Sequence, residues 1–146
     1  MPDQETEALD ASEDLPLISV RKARKADMGA IFSMMDLLFT ESRPRDLPGD
    51  CYLVAERKGV PVGFCHYRFR ENSCYIAGIG VLAQYREHGA GTLLLDYALR
   101  RIDKLGIQRT YLKVRALNPA SKLYLKFGFF EKMSGDTLLL VRKRLS

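Results

Sequence analysis

CYIAGIGVLAQYREHGAGT, running from Cys74 to Thr92, is the stretch on which the fold turns. Its first part, Cys74 to Leu82, reads as a strand, yet Gly78-Ile79-Gly80-Val81 places two glycines inside it. Glycines in a strand interior give up packing and mark a bulge or a place where a ligand lies against the backbone. The second part ends in Arg86-Glu87-His88-Gly89-Ala90-Gly91-Thr92, a glycine-rich turn. The turn opens a helix with Leu94, Leu95, Ala98, Ile102 and Leu105 on one face and Gly106 as its terminal cap. Glycines at a strand-to-helix turn let several backbone N–H groups converge on one point, and the helix dipole adds about half a positive charge there. Such a turn can hold a phosphate, and Arg86 can add charge-assisted hydrogen bonds to it. A capped turn without a ligand is the alternative. No Lys-Ser/Thr follows the glycines and no full Gly-x-Gly-x-x-Gly occurs, which excludes a nucleotide P-loop and a dinucleotide fold.

Upstream, Leu17 to Ala23 alternates like a strand, and Asp27 stands as N-cap of a helix from Met28 to Thr40, with Ile31, Met34, Met35, Leu38 and Phe39 at helical spacing. Arg43 to Asp50 holds two prolines and a glycine and reads as a loop or a short irregular helix. Cys51 to Arg57 and Val62 to Arg70 are strands joined by a Lys58-Gly59 hairpin turn, and Glu71-Asn72 is a second tight turn. Downstream, Arg109 to Arg115 is a strand, and Asn118-Pro119 starts a short helix that ends at Gly128. Phe129 to Met133 and Thr137 to Lys143 close the chain as two strands joined through Ser134-Gly135-Asp136. The order β-α-βββ-α-β-α-ββ describes an α/β protein: a mixed, mostly antiparallel seven-stranded sheet with a central parallel step, flanked by helices.

The chain has 146 residues, 47% apolar and 28% charged, the balance of one globular domain. No apolar run reaches the ~18 residues of a membrane helix, and the first twenty residues are acidic with no apolar signal segment. Three well-separated cysteines (Cys51, Cys65, Cys74) with no CxxC pair speak against a disulfide framework or a zinc cluster; no metal is expected, and a reducing cytoplasm fits. Residues 1–15 form an acidic tail expected to be disordered, and 16–146 a single domain. Six acids lie in the first fourteen residues; without them 12 of the 18 acids face 23 bases, so the body carries about +11. A basic body points to an anionic ligand without choosing among nucleic acid, a membrane surface and a phosphorylated cofactor.

A second constellation lies about thirty residues beyond the glycine turn: Asn118, Tyr124 and Gly128-Phe129. With Asn118 as cap, Tyr124 falls near the end of the second turn. A phenol of pKa about 10 is close enough to a thiol, at about 8.5, to donate a proton to a leaving thiolate. A half-buried tyrosine on an amphipathic helix is the alternative. Together, Arg-x-x-Gly-x-Gly at Arg86 to Gly91 and Asn118-x-x-Ser-x-x-Tyr124-x-x-x-Gly-Phe resemble the GCN5-related N-acetyltransferase (GNAT) superfamily, over nearly the whole chain from Leu17 to Leu145. YLKVRALNPASKLYLKFGF, Tyr111 to Phe129, looks most like the branch that acetylates protein N-termini, ribosomal proteins among them.

The resemblance implies acetyl-CoA as cosubstrate, with its pyrophosphate on the amides from Arg86 through Glu87, His88, Gly89, Ala90 and Gly91 to Thr92. It implies that the pantetheine pairs along Ile79, Gly80 and Val81, and that the Arg109 to Arg115 strand splays away to open a V-shaped cleft. Asn118 would contact the pantetheine arm, and Tyr124 would protonate the departing thiolate. The acceptor amine attacks the thioester directly while a strand N–H near Ile79 polarises its carbonyl, so no cysteine need be a nucleophile.

Two positions depart from the family's pattern. Ala77 and Lys113 stand where relatives often carry the carboxylate that deprotonates the amine. A water chain, His66, Glu71 or Tyr75 are the remaining candidates for the base. Glu87 replaces a common glycine and brings a carboxylate toward the pyrophosphate. Arg43, Arg45 and Asp46 lie in the loop that grips the acceptor, a protein N-terminus, a lysine or a small-molecule amine; with the basic body they favour one bearing carboxylate or phosphate. The empty base positions also admit a non-catalytic acyl-CoA-binding domain. A nucleic-acid module has only charge in its favour, because the aromatics fall on core positions. Neither a nucleic-acid nor a membrane partner is expected, and a monomer or a homodimer is.

Overall fold

Leu53-Val54-Ala55 is an uninterrupted apolar run, the mark of a strand covered on both faces rather than one. In the computed structural model, which describes residues 17–39 and 46–144, that strand lies inside a seven-stranded sheet. The strands are β1 (Ile18–Lys22), β2 (Asp50–Arg57), β3 (Val60–Arg70), β4 (Ser73–Val81), β5 (Arg109–Arg115), β6 (Phe130–Met133) and β7 (Thr137–Lys143). The helices are α1 (Met28–Leu38), α2 (Ala90–Lys104) and α3 (Ser121–Lys126). Across the sheet the order is β1-β2-β3-β4-β5-β7-β6, antiparallel everywhere except between β4 and β5. This is the mixed sheet expected from the sequence. The acidic tail and the loop residues Arg43 and Arg45 lie outside the described residues, and Asp46 is exposed.

Local signals set most of the connections. Lys58 and Gly59 both take positive φ, 53° and 77°, the twist a two-residue hairpin turn requires. Gly106 at φ 80° follows α2, its N–H donating to the Asp103 carbonyl while Ile107 N–H reaches Ile102, which closes the helix as a Schellman motif. Leu105 was expected on the buried face, but it is the capping residue where the chain leaves the helix and is 59% exposed; Leu99 is buried instead.

Pleating sends neighbours to opposite sides of the sheet. Tyr52, Val54 and Phe64 meet Ile31, Met34 and Met35 of α1. Leu53, Ala55, Cys65 and Tyr67 meet Leu94, Leu95, Ala98 and Ile102 of α2. Leu94, Leu95 and Ile102 are fully buried, each contributing on the order of 1.5–3 kcal/mol.

The start of α1 differs from the expected cap. Asp27 precedes the helix, but its carboxylate turns back, accepting from the Arg24 N–H at 2.6 Å and from Arg21 at 2.7 and 2.9 Å. It thereby caps the preceding 3₁₀ turn, Lys25–Asp27. Arg21 also binds Glu56 and outcompetes the helix for the carboxylate, holding Asp27 down at about 2. At the other end α1 stops at Leu38, before the expected Thr40, because Phe39 leaves helical geometry. On the far side of the sheet, Arg142 of β7 makes a two-pronged pair with Asp103 of α2, both bonds 2.9 Å, and donates to the Phe127 carbonyl after α3. One buried guanidinium thus ties both later helices to the sheet.

Candidate active site

A split in the sheet forms the site. β4 and β5 pair only from Ser73↔Arg109 to Ile76↔Leu112. Beyond that point β4 stays with β3 as far as Val81, while β5 stays with β7 as far as Arg115. The separation begins at an irregularity: His66 pairs with Gly78 and Tyr67 with Ile76, which leaves Ala77 as an extra residue. An extra residue bends its strand and increases its twist.

Antiparallel pairing alternates the direction of the backbone groups. Leu82 N–H donates to Val62 O at 2.9 Å, so the alternation turns Gly80 toward β3 and directs Ile79 and Val81 into the split. Arg86 Nε takes the Val81 carbonyl at 3.0 Å, which pins the turn to the strand and leaves the guanidinium's terminal groups for a ligand. Gly80 has a different reason for its size. A Cβ there would lie 2.7 Å from Phe64, 2.9 Å from Leu38 and 3.1 Å from Phe39, so its missing side chain admits the end of α1. Gly78, with nothing nearer than 4.0 Å, faces no such constraint.

The glycine turn stands on the α2 face of the split. Gly89 is the N-cap of α2 with φ 83°, and Glu87 also takes a positive φ, 68°, where a glycine would sit without strain. The first N–H groups of a helix lack carbonyl partners within it. Those of Ala90, Gly91 and Thr92 border a pocket of about 230 Å³ completed by Val81, Tyr85, Arg86, Glu87, Gly89 and Leu123. His88 is exposed and outside that lining. Tyr85 and Leu123 are new to the site. Leu123 could have been found from its neighbour Tyr124, whereas Tyr85 is placed by the guanidinium of Arg57, 5.8 Å over its ring.

Asn118 was expected as the N-cap, but α3 begins only at Ser121 with Ala120 as its cap, and Asn118 instead closes the turn ahead of the helix. Its side-chain oxygen accepts the Ala120 N–H at 2.9 Å and its carbonyl accepts Ser121 N–H at 3.0 Å, which leaves the exposed side-chain NH₂ free to donate. Tyr124 is half-buried, edge-on to Phe129 at 5.9 Å, and packs against the same core as Ile79, Val81 and Leu123. Burial pushes its phenol up to about 12. It therefore stays protonated at neutral pH. The gap to a thiol at about 8.5 is wider than free tyrosine suggests, so such a phenol can donate a hydrogen bond to a thiolate, whereas giving up its proton entirely would be uphill.

The candidate bases separate. Ala77 is exposed at the bulge and Lys113 is exposed on β5 at the first position past the split. His66 is buried, its Nε2 2.8 Å from Asp50 Oδ1 and its ring stacked on Tyr52 at 4.3 Å. Tyr75 borders a groove on the α1 face beside the split, whereas Glu71 stands at the far end of that groove. The cysteines are free thiols. Burial pushes Cys74 up to about 12 and raises Cys65 and Cys51 as well, which removes the thiolate a nucleophile needs. Among the described residues no helix is long and apolar enough to cross a membrane, and no three His, Cys, Asp or Glu are grouped to hold a metal ion.

A β4 strand that parts from β5, with a glycine turn after it at a helix N-terminus, is the arrangement the resemblance to the acetyltransferases implies, and comparison with known proteins agrees on the family. Residues 20–129 match the model of the Acetyltransferase (GNAT) family, and the chain belongs to that family. An N-alpha-acetyltransferase of Sulfurisphaera tokodaii is 29% identical over 133 residues, covering 77% of this chain and 80% of that one. The crystal structure of the ribosomal-protein-S18-alanine N-acetyltransferase from Escherichia coli superposes with a TM-score of 0.77 at 17% identity, over 88% of this chain and 95% of the other. Arabidopsis thaliana Naa50, solved with the bisubstrate analogue CoA-Ac-MVNAL, gives 0.74 at 23% identity, over 87% and 99%. The protein is an acetyl-CoA-dependent N-acetyltransferase.

Proposed function

We propose that acetyl-CoA lies on the α2 face and that the acceptor is the α-amine of a protein N-terminus, entering the split from the α1 face. The observation that carries this reading is the loss of β4–β5 pairing after Ile76↔Leu112, with the glycine turn on one side and the Tyr75 groove on the other. The pocket suits a diphosphate: it offers backbone N–H groups, a helix N-terminus and Arg86. Bound there, acetyl-CoA supplies an acetyl group activated as a thioester. Ile79 N–H donates to the carbonyl oxygen as the amine attacks, Asn118 NH₂ steadies the pantetheine arm, and Tyr124 donates to the sulfur. The proton the amine sheds passes to solvent water in the open groove, with the Tyr75 phenol oxygen accepting a hydrogen bond along that path rather than the proton itself.

The empty carboxylate positions favour an α-amine over a lysine. An α-amine of pKa about 7.8 is roughly one quarter neutral at pH 7.4, whereas a lysine at about 10.4 is neutral about once in a thousand. Only the lysine needs a strong base. The relatives named for N-terminal acetylation support the same choice. A reducing cytoplasm, with three free thiols, is the proposed setting.

Thiol release from acetyl-CoA with a panel of N-terminal peptides tests the reading. Tyr124→Phe is expected to lower kcat about 100-fold while coenzyme affinity stays within twofold. Coenzyme binding with no release on any amine would instead establish a non-catalytic acyl-CoA-binding domain.

A further inference from the structure

The groove on the α1 face extends well beyond the atoms that acetyl transfer requires. It consists of two adjoining hollows of about 570 and 480 Å³ that share Arg70, Ser73 and Tyr111. One end is at the split, beside Tyr75 and Lys113, and the other is at the β3–β4 turn, Glu71-Asn72. The phenol rings of Tyr75 and Tyr111, on paired positions of β4 and β5, form its floor. Arg68 lies with its guanidinium 4.9 Å over the Tyr75 ring.

Four cations line this surface, Arg68, Arg70, Arg109 and Lys113, against a single carboxylate, Glu71. Among the described residues none of the four forms an ion pair. Three arginines elsewhere are neutralised by carboxylates: Arg21 by Asp27 at 2.7 Å, Arg100 by Asp96 at 2.8 Å and Arg142 by Asp103 at 2.9 Å. The charge of Arg21 and Arg142 is spent within the fold, whereas that of the four groove cations is left facing the concave surface. Unpaired charges of one sign in a concave surface focus their field within a Debye length, about 10 Å at 0.1 M salt. Guanidinium groups beside aromatic faces accept carboxylates in a planar, two-pronged geometry.

We propose that the acceptor is a peptide carrying Asp or Glu in the positions just after its N-terminal residue, the amine at the split and the acidic residues along Arg68, Arg70 and Lys113. This rests on the acceptor entering from the α1 face. Peptides with lysine at those positions meet like charge and are rejected.

The test is equilibrium binding to the full chain in saturating coenzyme A. It uses peptides labelled at the C-terminus that share one N-terminal residue and carry Asp-Glu, Ser-Gly or Lys-Lys next. The acidic peptide is expected to bind roughly tenfold more tightly than the lysine peptide, with a preference that falls as salt rises, because each exposed charge contact is worth about a two- to fivefold change. Arg70→Glu should reduce the preference to within threefold. Lys104→Glu, the same charge change on an exposed residue of α2 outside the groove, should retain it. Arg68→Gln is the second variant should Arg70→Glu not fold. Equal affinities, a preference for lysine, or a preference that survives Arg70→Glu or its substitute would overturn the assignment. Thiol release in the same samples reads the chemistry separately. Selective binding without release overturns the transfer reading and leaves the acidic preference standing, whereas release without selectivity overturns the preference alone.

Discussion

The two sides of the split are made of different material. On the α2 side, the pocket proposed for the coenzyme draws on main chain: positive-φ backbone at Glu87 and Gly89, helix N–H groups, and a strand whose carbonyl is pinned by Arg86. On the α1 side, the groove draws on side chains: two tyrosines and four cations, Arg68 lying over the Tyr75 ring, with no ion pair on any of the four among the described residues. A diphosphate and an extended thioester arm are the same whatever is acetylated, and backbone suffices to grip them. The acceptor varies between relatives, and side chains can be exchanged without altering the fold.

The sharpest way to break this contrast is to loosen the frame that holds the main chain in place. Arg142→Met removes the tie from β7 to both α2 and α3 and leaves Asp103 unpaired; a loss of about 3–5 kcal/mol is expected in denaturant unfolding, most of it recovered by Arg142→Met with Asp103→Leu. Next in size is Gly80→Ala, whose methyl group collides with Phe64 and Leu38 and should cost about 1–3 kcal/mol, while Gly78→Ala in the same strand stays within about 0.5 kcal/mol. Equal effects at the two glycines would mean that Gly80 is not there for packing.

Glu87→Gly has the opposite sign. It relieves a left-handed residue and takes a carboxylate from the pocket lining, so stability should rise by about 0.5–1 kcal/mol and calorimetry should show coenzyme affinity several-fold higher. The smallest effect concerns the paired cations that contrast with the groove. Asp27→Asn should cost about 1 kcal/mol or less at neutral pH. Because Asp27 is held at about 2 against a usual 3.8, its contribution is complete above 3.8 and disappears as pH falls toward 2, where the melting temperatures of variant and parent should converge.

How much could be read in advance varied with the range of the interaction. Lys58-Gly59, Gly106, Gly128 and the turn at Asn118 were legible because each acts within a few residues, through a φ only glycine adopts readily or a side chain that reaches the nearby backbone. Asp27 misled for the same reason: its local role as a cap lost to Arg21, which is brought to it by the β1–β2 pairing. Neither Tyr85 beside the glycine turn nor Arg68 over Tyr75 left a local mark, since both depend on which strand lies beside which.

By itself, the sequence determined the order of strands and helices, the glycine turn and the residues Asn118 and Tyr124, because periodicity, capping and backbone freedom are properties of neighbours along the chain. Only the tertiary structure decided that β4 leaves β5 at Ala77, that Gly80 serves Phe64 and Leu38, and that the unpaired cations share one groove. Those facts depend on register and on packing between elements distant in sequence, where a single extra residue in one strand redirects everything that follows.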